Sequence, residues 1–192
     1  MPAQQGLFGE DAPDLPVGLR LRADILTASE EVELIARLAG LPFAPFQFRG
    51  FEGRRRVVSF GWRYDFAQGR LKEAECLPAF LAPVRDRAAA LLEVGPERLE
   101  QVLVTEYAPG AAIGWHKDRP EFGAVAGVSL GAPCTFRLRR RSGAGWERRS
   151  FMAEPRGAYS LVGPARTEWE HSIPAVEALR YSLTFRTLRS GG

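Results

Sequence analysis

From Gln101 onward the chain is cut into short stretches of alternating polarity, at 101–107, 124–130, 134–140, 148–153, 158–162 and 179–188. Glycine and proline separate them, at Pro109-Gly110, Gly131-Ala132-Pro133, Ser142-Gly143-Ala144-Gly145, Pro155-Arg156-Gly157 and Gly163-Pro164. A period of two between such stops is the pattern of strands joined by turns. Short strands at regular spacing argue for a sandwich or jelly roll rather than a doubly wound sheet.

Two helices are expected before these strands. Thr27-Ala28-Ser29-Glu30 has the form of a capping box, and Val32, Leu34, Ile35 and Leu38 follow at helical spacing until Gly40 and Pro42. A second helix is predicted over 78–94, with Phe80, Leu81, Val84, Ala88, Leu91 and Leu92 on one side and Gly95-Pro96 as its stop. Both should back onto a sheet, so the class is mainly β with flanking helices (α+β). Residues 1–18 show no periodic apolar face and are expected to form a flexible N-terminal arm, with Leu7-Phe8 free to tuck against the rest. Residues 19–192 are expected to form a single domain.

Composition narrows the setting. The hydrophobic share is 45%, enough for a core without disulfides, so Cys76 and Cys134 are expected as free thiols. No apolar run approaches the roughly 20 residues that span a bilayer, and the first residues lack the basic start and apolar centre of a signal peptide. A cytoplasmic monomer without membrane contact is the expectation. The net charge of +3 is carried by arginine, since Lys72 and Lys117 are the only lysines, and it permits nucleic-acid binding without demanding it.

The chain has two histidines, and both stand in suggestive company. His116-Lys117-Asp118 places an imidazole and a carboxylate two residues apart, on the same side of an extended segment. His171 is the one other imidazole available as a third ligand. Two imidazoles and one carboxylate compose a facial triad for non-haem Fe(II). A three-ligand zinc site for hydrolysis is the competing chemistry. The stretch from Leu179 to Leu188 weighs against it. Alternation there puts Arg180, Ser182, Thr184 and Arg186 on one face and Tyr181, Leu183 and Phe185 on the other. Two guanidiniums on an inward face are costly unless an anion meets them. Six residues of strand span roughly 20 Å, which after the reach of both side chains leaves room for a five-carbon dicarboxylate held by bidentate pairing.

Tyr107-Ala108-Pro109-Gly110, His116-Lys117-Asp118, Val128-Ser129-Leu130-Gly131, His171 and the run Arg180 to Arg186 together resemble the AlkB family of Fe(II)/2-oxoglutarate-dependent dioxygenases, over about residues 20–188. The resemblance implies a double-stranded β-helix (jelly roll) with N-terminal helices and a substrate-recognition lid. It implies His116, Asp118 and His171 as iron ligands, Arg180 and Tyr107 on the distal carboxylate of 2-oxoglutarate, and Arg186 near the carboxylate beside the metal. O2 would be consumed, with succinate and CO2 released, and an N-methyl group on a base in DNA or RNA would leave as formaldehyde. Two positions depart from the family pattern. Thr105 stands where an asparagine often also holds the cosubstrate, and Pro120 where the DNA-repair prototype has a base-recognising aspartate, with Glu121 adjacent.

The segment from Arg54 to Tyr64 resembles the family's nucleotide-recognition lid. Arg55 and Arg56 would grip phosphate, and Trp62 or Tyr64 would stack on a flipped base. Arg137, Arg139, Arg140, Arg141, Arg148 and Arg149 form a second basic cluster, suited to a hairpin that either presents a phosphate-binding edge or protects a sheet edge with charge. Oxidative demethylation or hydroxylation of a modified nucleic-acid base is the leading expectation. The same iron chemistry on a protein side chain or small molecule is the alternative, and a non-enzymatic nucleic-acid module is a third.

Overall fold

The computed structural model describes residues 14–48 and 51–189. In chain order the elements are β1 (Leu19–Arg22), α1 (Ala28–Leu38), β2 (Ala44–Phe48), β3 (Phe51–Phe60), β4 (Trp62–Asp65), β5 (Arg70–Glu73), α2 (Ala82–Leu92), β6 (Gln101–Tyr107), β7 (Ile113–His116), β8 (Phe122–Gly131), β9 (Cys134–Ser142), β10 (Gly145–Ala153), β11 (Ala158–Leu161), α3 (Gly163–Thr167), β12 (Glu170–Ile173) and β13 (Arg180–Leu188). A large antiparallel sheet runs β1-β11-β8-β13-β6-β3-β2, and a smaller one runs β10-β9-β12-β7. The hairpin β4-β5 stands apart from both.

Alternation along each strand divides the molecule into layers. On β13, Tyr181, Leu183 and Phe185 pack with Leu34 and Leu38 of α1 and Val84 and Ala88 of α2. The opposite face looks toward the smaller sheet, and a second cluster, including Val125, Tyr159 and Leu161 from one sheet and Phe136, Leu138 and Ile173 from the other, fills the space between them. Two antiparallel sheets face to face, with helices backing the larger, make a mainly β jelly roll of the expected class.

The capping box on α1 forms as expected: Thr27 Oγ1 accepts from Glu30 N, and Glu30 returns a carboxylate oxygen to Thr27 N. Val32 departs from the expectation, being 70% exposed. The buried position beside it belongs to Glu31, which accepts from Gly131 N at 2.8 Å and from Arg156 at 3.2 Å. The second helix starts later than its apolar spacing suggests. Ala79–Leu81 is a 3-10 turn and the α-helix begins at Ala82, because Pro83 lacks an N–H and fits only the first turn. It ends on Glu93 at φ 58 rather than at Gly95.

β10 begins at Gly145 rather than at 148, since Gly143 at φ 55 allows a tight two-residue turn opposite Ser142. Most of the expected arm, residues 1–13, and with it Leu7-Phe8, lies outside the described residues; residues 14–18 are placed, with Leu15 against the inter-sheet core. Cys76 and Cys134 are free thiols. Among the described residues no helix is long and apolar enough to cross a membrane.

Candidate active site

A cleft of about 1210 Å³ opens between the two sheets and under the β4-β5 hairpin. His116, Asp118 and His171 line it together. β7 and β12 are adjacent antiparallel strands with His116 directly opposite His171, so residues far apart in sequence become cross-strand neighbours with ring centres 4.2 Å apart. Asp118 lies just past the end of β7, and its Oδ2 is 3.9 Å from His171 Nε2. Lys117 points elsewhere, its Nζ donating to Thr167 O.

The protonation states suit a cation. Burial lowers the pKa of both imidazoles, and at His171 the neighbouring His116 adds to the effect, so both rings are neutral. For Asp118 burial acts upward, but Arg186 and the two imidazoles outweigh it and hold the carboxyl well below the usual range. His116 commits Nδ1 to Gly114 O at 2.8 Å, which leaves Nε2 free. Two neutral nitrogens and one anionic oxygen are donors that fit Fe(II). Among the described residues, however, no three acids, thiols or imidazoles are already gathered tightly enough to hold an ion. Asp118 Oδ1 instead takes two bonds from Arg186, at 3.0 and 2.5 Å.

Arg186 also donates to Gln101 Oε1 at 2.9 Å. Gln101 is not among the expected site residues, and only the β13-β6 register, which sets it opposite Arg186, brings it in. The inward alternation of β13 is as expected: Ser182, Thr184 and Arg186 line the cleft. Thr105 and Tyr107 line it from β6. Arg180 is fully buried and does not itself line the cleft. Its guanidinium sits against the Tyr107 ring at 4.9 Å and donates from Nη2 to Ser129 Oγ at 3.1 Å. Its Nε and Nη1 have no hydrogen-bond partner among the described residues. Arg166, also missed, is buried on α3 and donates to the carbonyls of Arg119, Phe122 and Gly123, pinning the loop that follows Asp118. A lone arginine two residues past a proline gives no sequence signal for that role.

The substrate residues separate into two groups. Arg55 lines the cleft, lying 3.7 Å from the Phe46 ring, and burial lowers its pKa. Tyr64 lines it too, with Arg119 stacked over its ring at 4.0 Å and hydrogen-bonded to its hydroxyl. Three others need correction. Arg56 registers opposite Glu106, bonds it at 2.7 Å and lies over Phe43 on the helix side, because neighbours on a strand face opposite ways. Trp62 is on β4 opposite Glu73 and does not line the cleft. Glu121 does not line it either; its carboxylate lies 3.8 Å from Arg119 Nε.

Residues 18–186 match the model of the 2OG-Fe(II) oxygenase superfamily. The chain is 29% identical over 181 residues to an Arabidopsis thaliana protein named alkylated DNA repair protein ALKBH8 homolog, covering 82% of this chain and 51% of that one. It is 29% identical over 80 residues to uncharacterized protein L905 of Acanthamoeba polyphaga mimivirus, covering 41% of this chain and 38% of the other. The chain thus spans about half or less of the length of these relatives. The solved structure of OsALKBH1 has the same fold, with a TM-score of 0.70, 18% identity, and coverage of 90% of this chain and 98% of that one. The chain belongs to the 2OG-Fe(II) oxygenase superfamily.

Proposed function

We propose that the protein is an Fe(II)/2-oxoglutarate-dependent dioxygenase that oxidatively demethylates, or hydroxylates, alkylated bases in DNA or RNA. The observation that carries this reading is one cleft holding two neutral imidazoles, an ionised carboxylate and Arg186, with Arg180, whose Nε and Nη1 lack partners among the described residues, packed against the Tyr107 ring of its wall. His116, Asp118 and His171 would hold the iron, which would supply O2 activation coupled to decarboxylation of 2-oxoglutarate to succinate. Arg180 and Tyr107 would take the distal carboxylate of the cosubstrate, a dianion whose negative end answers the partnerless Nε and Nη1. Arg186 would steady the end beside the metal, and Thr105, opposite Ser182 on the strand pair, would offer its hydroxyl to the cosubstrate between the two ends.

On the substrate side, Arg55 would meet phosphate and the Tyr64 ring would stack on a base, both from the cleft wall. Arg119, stacked on Tyr64, would hold that ring in place. The name of the Arabidopsis relative supports a nucleic-acid substrate. Residues 19–192 would act as one catalytic domain, in the cytoplasm and as a monomer.

The test is mass spectrometry of single-stranded DNA and RNA oligonucleotides carrying 1-methyladenine or 3-methylcytosine, incubated with Fe(II), 2-oxoglutarate and O2, with succinate measured in parallel. Loss of the methyl mass matched by succinate is the expected result. Succinate without demethylation would turn the search to proteins or small molecules, and absence of both would overturn the reading.

A further inference from the structure

The solvent face of the smaller sheet carries a run of guanidinium and indole groups that leads away from the cleft. On β9 the period of two sends Phe136 and Leu138 into the core and Arg137, Arg139 and Arg141 outward. Arg137 lies 5.4 Å from the centre of the Trp115 ring, Arg139 lies 4.4 Å from Trp115 and 4.1 Å from Trp146, and Arg141 lies 4.3 Å from Trp146. The five side chains form one continuous run, about 13 Å long from Arg137 to Arg141 at the usual strand rise. Trp115 also lines the cleft, so the run starts at the cleft mouth.

Its charge is not balanced. Glu170 is held by Arg139 at 2.6 Å, and Glu147 and Glu168 are held by Arg140. Arg141 and Arg148 have no acidic partner among the described residues, and Arg148 stands directly opposite Arg139 across the β9-β10 pair. Like charges placed opposite one another repel. Edge protection alone would need neither the excess charge nor the indoles, which present flat faces beside the guanidiniums.

We infer that this face is a binding track for single-stranded nucleic acid continuing out of the cleft, with phosphates on Arg141 and Arg148 and bases stacked against Trp115 and Trp146. The inference rests on the nucleic-acid reading of the cleft and extends it. Flat rings between separated positive charges match a strand of phosphates and bases better than an acidic peptide, which brings carboxylates for the guanidiniums but no flat ring to stack on the indoles.

The test is fluorescence anisotropy of the full chain with fluorescein-labelled oligothymidylates of 4 and 16 nucleotides across a salt series. The wild type should bind the longer strand about tenfold or more tighter than the shorter. A variant carrying Arg141→Ala and Arg148→Ala should lose most of that advantage, with a salt slope shallower by roughly 1.4, at about 0.7 per phosphate contact. Trp146→Ala should lower affinity for the 16-mer about equally at every salt concentration. If both lengths bind but the double variant keeps the advantage and the slope, the track is wrong and the cleft reading stands. If neither length binds, both fall. A polyglutamate peptide competing as well as the oligonucleotide would also overturn the track.

Discussion

Arg180→Met separates a guanidinium kept for a ligand from one kept for the fold. Arg180 is fully buried, donates one hydrogen bond to Ser129 Oγ and rests on the Tyr107 ring, while Nε and Nη1 have no partner among the described residues. Losing the bond from a charged donor costs about 1.5–3 kcal/mol, and losing the ring contact costs roughly 0.5–2 kcal/mol. Ser129 Oγ is not orphaned, because it also donates to Ala153 O. Against this, two buried unsatisfied donors are relieved, at about 1–3 kcal/mol each. The two sides nearly cancel, so apo stability should change by no more than about 2 kcal/mol in either direction. A guanidinium in a structural buried pair would instead cost about 3–5 kcal/mol to remove. In the wild type, 2-oxoglutarate at a hundred times its Kd should add about 2.7 kcal/mol, or roughly 5–10 °C in Tm for a domain of this size. The variant should lose that shift. Urea unfolding without cosubstrate, and anaerobic thermal melts with Fe(II) and a 2-oxoglutarate titration, measure the two halves. An apo loss above about 3 kcal/mol, or a retained cosubstrate shift, would refute the reasoning.

Asp118→Ala should abolish 2-oxoglutarate-dependent succinate formation, and turnover persisting in metal-controlled assays would remove Asp118 from the ligand set. Arg166→Met should lower urea stability by roughly 2–4 kcal/mol, since three loop carbonyls lose a charged donor; an unchanged midpoint would mean the loop holds itself. Gly61→Ala should cost about 2–5 kcal/mol, because φ is +74° there and a Cβ would collide with the Glu100 carbonyl, as urea unfolding can check. Glu30 titrates at about 2 rather than 4.5, held down by its hydrogen bonds from Arg87 and from the Thr27 backbone. Its contribution to stability is therefore complete above pH 4.5 and lost as pH falls through about 2. Comparing the urea midpoints of wild type and Glu30→Gln across pH 2–6 should show their difference shrinking toward the acid end, and a constant difference would contradict this.

Local rules made much of the molecule legible. The capping box at Thr27, the turns at Pro109-Gly110 and Ser142 to Gly145, and the alternation of β13 each depend on a few adjacent residues. Their side-chain directions follow from backbone period alone. His116 and Asp118 were legible for the same reason. The edge strand β1 was not, because Leu19–Arg22 is short and mostly exposed and gains its order from pairing with β11.

The sequence by itself determined which chemical groups are present and how each strand divides them between two faces. Only the tertiary structure decided which faces meet. Register across β7 and β12 sets His116 against His171, and register across β6 and β13 gives Arg186 its Gln101 partner. The same alternation sends Arg55 into the cleft and Arg56 to Glu106, a division that three consecutive arginines conceal. Strand pairing is a contest among many nonlocal alternatives, settled by burying both apolar faces at once. No single segment carries that information.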